Sequence, residues 1–205
     1  AAATAMPQKV SASQIAHAQD DSFYEVVITK PQFLSKEDRS ATERGKAHHL
    51  FLQYCDFTRA RKDIEAEIAR LTEAYLLSEP SATLIDRNSL LKLLRSPLFD
   101  RVIASPRVYR EEQFTVKIPP SMISDSYPDT GEAIVMQGAV DLAFEENGSL
   151  VIVDYKTDHV RDVQRLVTLY RKQLLLYQTA LQQVMEQEVS ECLICSVALN
   201  EVVKV

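Results

Sequence analysis

On both sides of Asn147-Gly148, every second position is apolar along one face: Val140, Leu142 and Phe144 before it, Val151, Val153 and Tyr155 after it. Alternation of this kind marks half-buried strands, and Asn-Gly between two such runs is the strongest short-range signal for a two-residue type I′ turn. The segment therefore reads as a β-hairpin in which Glu146 faces Ser149 and Asp141 falls opposite Asp154. Val140, Leu142 and Phe144 then share an apolar, core-facing side with Val151, Val153 and Tyr155. Asp141, Asp154 and Lys156 share the other side with Ala143 and Ile152.

The rest of the pattern is helical first and mixed afterwards. Residues 1–34 read as an irregular arm, with Ser11 or Ser13 capping a short helix through Gln14 to Gln19. Helical spacing runs over 40–57 and again over 59–78, where Ile64, Ile68, Leu71, Tyr75 and Leu76 recur among charges. Pro80 is read as ending that helix, Asn88 or Ser89 as capping another through Arg95, and Pro97 to Ala104 as a last short helix. Pro106 marks the change to strands. Val108 to Ile118 reads as a strand and Pro119-Pro120 to Thr130 as an exposed loop, followed by the hairpin. A long amphipathic helix over 160–187 and a final strand over 190–204 complete an α/β domain whose sheet is flanked by helices.

Composition adds bounds rather than detail. At 205 residues, 46% apolar and 25% charged, the chain reads as one domain large enough to bury a real core. No apolar run approaches the ~18 residues that span a bilayer, so no membrane role and a cytoplasmic setting are expected. An alanine-rich opening that does not start with methionine suggests a fragment of something longer. The odd count of cysteines argues against a disulfide framework. Cys192 and Cys195 form a C-x-x-C, but on a continuous strand that spacing points the two thiols to opposite faces, so both read as buried core residues rather than as metal ligands. A net charge of −6 is unfavourable for nucleic acid in general; a local, cation-assisted surface escapes that objection.

Directly opposed carboxylates lie with Cβ atoms about 4.5–5.5 Å apart and repel. A solvated strand face is the commonest setting for charged residues, but Ala143 and Ile152 beside the acids mark this face as partly covered. A carboxylate pair with an adjacent ammonium suits holding a divalent cation and stabilising charge on a phosphate. Gly45-Lys46 is not the end of a phosphate loop, since Ser40 stands where that motif needs glycine and no strand precedes it. His48-His49, in an apolar helical stretch, decides nothing alone. On the long helix Tyr170, Gln173 and Tyr177 share a side with Leu166, Leu174 and Leu181, and the Gln173 amide in that stripe needs a partner. Arg161, Arg165, Arg171 and Lys172 around the same helix are available to phosphates, although a charge run is more often a solvated face.

Gly138-Ala139-Val140-Asp141, Asp154-Tyr155-Lys156-Thr157-Asp158 and Gln173-Leu174-Leu175-Leu176-Tyr177, preceded by Gly45-Lys46-Ala47-His48-His49, resemble the nuclease domains of the RecB and AddA group of the PD-(D/E)XK superfamily. The likeness is closest to the C-terminal domains of AddA proteins. It departs at Lys46, where the family usually has threonine, and offers no match to the cluster-binding cysteines of AddB and Cas4 relatives. The resemblance implies a restriction-endonuclease-like core with a mixed central sheet and a helical N-terminal half, an arm over 1–34 and a nuclease domain over 35–205. It assigns His49, Asp141, Asp154 and the Tyr155 backbone carbonyl to a metal. It makes Lys156 the group that orients or activates water, and gives Gln173 and Tyr177 supporting and DNA-touching roles; Arg161, Arg165 and Arg171 stay candidate DNA contacts by their place around the long helix alone. Glu111 resembles a family acid on the first strand.

The activity so implied is Mg²⁺-dependent DNA exonuclease action, Mn²⁺ substituting, on single-stranded ends delivered by a helicase motor in double-strand-break repair and recombination. ATP would enter only through that motor, and an AddB-type protein would be the partner. Two other readings stand beside it: a catalytically idle nuclease fold that guides DNA or serves as a docking module in a larger complex, and a free-standing nuclease of the Cas4 or phage type.

Overall fold

Asn147 and Gly148 both take left-handed backbone, with φ of 52° and 83°, as the type I′ turn requires. The computed structural model describes residues 9–12, 36–123, 131–158 and 160–205, and for 36–40 only the helical backbone. Strands β3 (Ile134–Glu146) and β4 (Ser149–Lys156) flank the turn. Their ladder runs from Glu146↔Ser149 to Leu142↔Val153, the register expected.

The helical half is built from α1 (Lys36–Tyr54), α2 (Phe57–Lys62), α3 (Ile64–Glu73), α4 (Glu79–Leu84), α5 (Arg87–Leu94) and α6 (Pro97–Ala104). The single helix expected over 59–78 is two. Asp63, in extended conformation, closes α2 and caps α3 by accepting the Ala66 N–H, a local bond that competes with helix continuation. Pro80 begins a helix instead of ending one: it lies in the first turn of α4, behind the Ser78 cap, where its missing N–H costs nothing. Asp86, not Asn88 or Ser89, caps α5.

Strand β2 (Val108–Ile118) pairs antiparallel with β3, and α7 (Val163–Met185) follows the hairpin. The final strand divides into β5 (Val189–Ser196), parallel to β4, and β6 (Glu201–Lys204), which folds back on β5 through Asn200 at φ 56°. A strand also forms in the arm read as irregular: β1 (Lys9–Ser11) runs parallel to β3 at Val135, Met136 and Gln137. The helix expected over Gln14 to Gln19, and most of the loop before Thr130, lie outside the described residues.

Because β2 occupies one edge of β3 over its whole paired length, β1 and β4 must share the other. β1 covers Val135 to Gln137 and β4 takes over at Leu142, so the sheet is split beside residues 138–141. The β2–β3 ladder breaks at the same place, between Arg110↔Leu142 and Glu112↔Val140, where Glu111 adopts φ 49°.

Both faces of the sheet are covered. Leu142, Phe144, Val151, Val153 and Tyr155 pack with α1 to α6 around Phe51 and Phe99, whereas Val116, Ile134, Met136, Ala143 and Ile152 pack under α7. Truncating a fully buried ring such as Phe99 costs about 3–5 kcal/mol in a core of this kind. Val140, expected beside Leu142 and Phe144, lies on the α7 side. The alternation of β3 changes phase at Asp141, and the left-handed Glu111 opposite is the physical counterpart of that change. Cys192 and Cys195 lie in the two different cores, and burial pushes the Cys192 thiol up to about 11.

Candidate active site

Asp141 sits at the split, and its carboxylate is held from two sides. Oδ2 accepts the Tyr155 N–H at 2.7 Å, a donor just past the last paired step of the β3–β4 ladder. Oδ1 lies 3.3 Å from Nδ1 of His49, and Glu111 Oε1 lies 3.9 Å from the same nitrogen. Ligand atoms of His49, Glu111 and Asp141 fall within 4.8 Å of one another. Burial alone would lower the His49 imidazole, but the Asp141 and Glu111 carboxylates outweigh it and raise the pKa to about 10.

Several contacts bring α1 to this place. A Cβ on Gly45 would stand 2.9 Å from Thr157 Oγ1, so glycine lets the helix lie close against the end of β4. Arg110 Nη1 donates to the carbonyls of Gln53 and Cys55 at 3.2 and 2.6 Å, its guanidinium 3.7 Å from the Phe57 ring centroid. These are orphan carbonyls at the end of α1, so β2 is tied to the helix by the residue next to Glu111. His48, buried, accepts the Asp86 N–H on Nε2 at 3.0 Å and donates from Nδ1 to the Arg44 carbonyl at 2.6 Å. Burial holds its pKa below the usual imidazole value. His48 is thus a core residue and His49 the one turned to the carboxylates.

Asp154 does not join the His49 cluster. It is 1% exposed, and Lys156 Nζ lies 2.7 Å from its Oδ2. Burial raises Asp154 to about 6 against the opposing pull of Lys156, with Asp141 adding to the rise. The expected pairing of the two acids is not formed: the β3–β4 ladder ends at Leu142↔Val153, one step short of Asp141 and Asp154, and their carboxylates take different partners. Lys156 lies between Asp154, Gln173 Oε1 at 3.4 Å and the Tyr170 ring at 4.0 Å from its centroid. The Gln173 amide finds its partner: Nε2 donates to the Tyr177 hydroxyl at 2.6 Å. Tyr177 is buried and meets Phe114 edge to face at 5.7 Å. Phe114 in turn lies over Gly138, where a Cβ would stand 2.5 Å from the ring.

Arg161, Arg165 and Arg171 are exposed around α7 and do not line the cleft beside the cluster. Lys172 is spent on the Ile123 carbonyl at 2.9 Å. Glu111 carried little weight in the sequence, and its signal was the doubled acid Glu111-Glu112 interrupting the alternation of β2. Tyr170 was read only as core, although it lies one turn before Gln173 on the same face.

The donor set suits a hard divalent cation: two carboxylates with one imidazole, and a buried Asp154 oxygen that has an ion-pair contact but no hydrogen bond of proper geometry. A mixed sheet between helices, with acid, acid and lysine on neighbouring strands, defines a domain of the PD-(D/E)XK class. The model of the PD-(D/E)XK nuclease superfamily matches residues 23–203, and the chain belongs to that superfamily.

Among curated relatives, the AddA protein of the ATP-dependent helicase/nuclease of Clostridium botulinum is 31% identical over 99% of this chain, and that of Acetivibrio thermocellus is 32% identical over 92%. The chain spans 17% and 16% of their respective lengths. The crystal structure of SSO0001 is a looser likeness, with a TM-score of 0.36 and 13% identity over 82% of this chain and 75% of that one.

Proposed function

We propose that this chain is the nuclease domain of a helicase–nuclease: a Mg²⁺-dependent DNA exonuclease, Mn²⁺ substituting, that hydrolyses phosphodiester bonds of single strands fed to it by a motor in double-strand-break repair. The observation that carries the reading is the Asp141 carboxylate shared between His49 and the Tyr155 N–H, with the Asp154–Lys156 pair on the adjoining strand.

His49, Asp141 and Glu111 would hold the cation, with Asp154 and the Tyr155 carbonyl as further oxygen ligands. When bound, the cation supplies Lewis acidity toward the scissile phosphate and its nucleophilic water. Lys156 orients that water and stabilises developing negative charge on the phosphate. Gln173 and the Tyr170 ring hold the Lys156 ammonium in place, and Tyr177 serves by fixing Gln173 from within the core. Residues 35–205 form the catalytic domain, and the arm over 1–34 lends the sheet a short edge strand, β1. ATP acts only through the motor; an AddB-type protein is the partner and the cytoplasm the setting. Among the described residues, no helix is long and apolar enough to cross a membrane.

The test is cleavage of single-stranded DNA with Mg²⁺ or Mn²⁺. Activity undiminished in Asp154→Ala or Lys156→Ala overturns the assignment. Absence of Mn²⁺ binding in a calorimetric titration favours an idle, DNA-guiding or docking fold.

A further inference from the structure

A cleft of about 810 Å³ opens beside the His49 cluster. One wall is α1, where Thr42, Lys46, His49 and Gln53 follow at spacings of three and four and so share a face. Glu111, Thr157 and Asp158 form the opposite wall. Asp158 is drawn toward α7, its Oδ2 accepting the Tyr170 hydroxyl at 3.2 Å.

The cations nearest the cluster are committed: Lys156 to Asp154 and Gln173, and Arg110 to the carbonyls ending α1. Lys46 differs. It is exposed on the cleft wall one turn from His49, with no hydrogen bond or ion pair among the described residues. It also stands where the resemblance leads one to expect threonine. The net charge of −6 means that affinity for a polyanion must come from local cations.

We propose that the α1 cleft is the path of the nucleic-acid strand and that Lys46 binds the phosphate next to the one being cleaved. The inference rests on the nuclease reading and deepens it. A phosphodiester held at the His49 cluster carries its neighbouring phosphate along the strand, and a helical turn along α1 brings the Lys46 ammonium, without a partner among the described residues, to meet it. The Thr157 hydroxyl and the Gln53 amide add neutral donors along the same walls. Lysine serves here as a point charge, so the contact adds affinity without sequence preference.

The experiment compares wild type, Lys46→Ala, Lys46→Thr and Lys46→Arg in the full chain. Two substrates are cleaved with Mn²⁺, a single-stranded oligonucleotide and a dinucleotide with one phosphodiester and no neighbouring phosphate. Oligonucleotide binding is followed against salt. For Lys46→Ala and Lys46→Thr we expect KM for the oligonucleotide to rise severalfold with kcat kept, and the salt slope of binding to fall by about 0.7, the value for one single-strand phosphate contact. Lys46→Arg should restore both, and dinucleotide cleavage should match wild type in all variants. Unchanged KM and salt slope in Lys46→Ala, with wild type active, overturn the proposal alone. Equal losses on the dinucleotide overturn it too, since Lys46 would then act at the scissile group. A wild type that neither binds Mn²⁺ nor cleaves overturns the nuclease reading and this proposal with it.

Discussion

The Tyr155 N–H donates to Asp141 Oδ2 at 2.7 Å, so a side chain takes over where the backbone ladder between β3 and β4 ends at Leu142↔Val153. That bond satisfies a buried amide and leaves the other Asp141 oxygen facing His49 at 3.3 Å. One carboxylate therefore seals the sheet and opens the candidate metal centre.

The two duties separate by mutation. Asp141→Asn keeps an oxygen for the Tyr155 N–H and loses the charge, so it should keep its melting temperature and lose at least tenfold in Mn²⁺ affinity by calorimetry. Asp141→Ala should lose both, with a stability cost of about 1–3 kcal/mol for the unpaired amide. Equal destabilisation of the two variants would count against the dual role.

Lys156 over the Tyr170 ring at 4.0 Å makes a second prediction. Tyr170→Phe keeps the ring and should retain kcat to within a few fold. Tyr170→Leu removes it and should lower kcat by about 2- to 30-fold, the range for a partly buried cation–π contact of about 0.5–2 kcal/mol. Single-turnover cleavage separates the two, and equal rates would refute a positioning role for the ring.

Gly138→Ala should reach the same lysine from farther away. The added methyl meets the Phe114 ring, and Phe114 leans on Tyr177, which fixes Gln173 beside Lys156. Overpacking of this kind costs about 1–3 kcal/mol. Denaturant melts should show that loss, and cleavage assays a fall in kcat with Mn²⁺ affinity unchanged.

Glu67 sets an acid limit to stability. It is 2% exposed, accepts the Asp56 N–H at 2.7 Å and pairs with Arg70. Burial would raise its pKa, yet the Arg70 and Asp56 bonds prevail and hold it below the usual 4.5. A group depressed in the folded state stabilises above its unfolded pKa and loses that contribution as the pH falls through the folded value. The melting temperature should therefore drop on acidification below about 4.5, and Glu67→Gln should flatten that drop while costing about 1–3 kcal/mol at neutral pH. A variant with the same acid limb as wild type would remove Glu67 from the explanation.

Local chemistry in the sequence determined a good share of this protein. Asn147-Gly148 sets the hairpin register because only left-handed residues fit its turn, and Pro97 to Ala104 and Val108 to Ile118 follow from their flanking prolines and periodicity. The orphan amide of Gln173 announced a partner, found in Tyr177. The motifs around Asp154 and His49 carried the family. What local pattern could not carry is the phase change at Asp141 and Glu111, the edge of β3 shared by β1 and β4, and the division of carboxylates between His49 and Lys156. Each depends on which strand occupies which edge and on how α1 is clamped by Gly45 and Arg110, contacts between segments distant in the chain. A period of two records which side a residue faces within its own strand; where that strand ends and which partner's charge meets it are decided by packing of the whole chain.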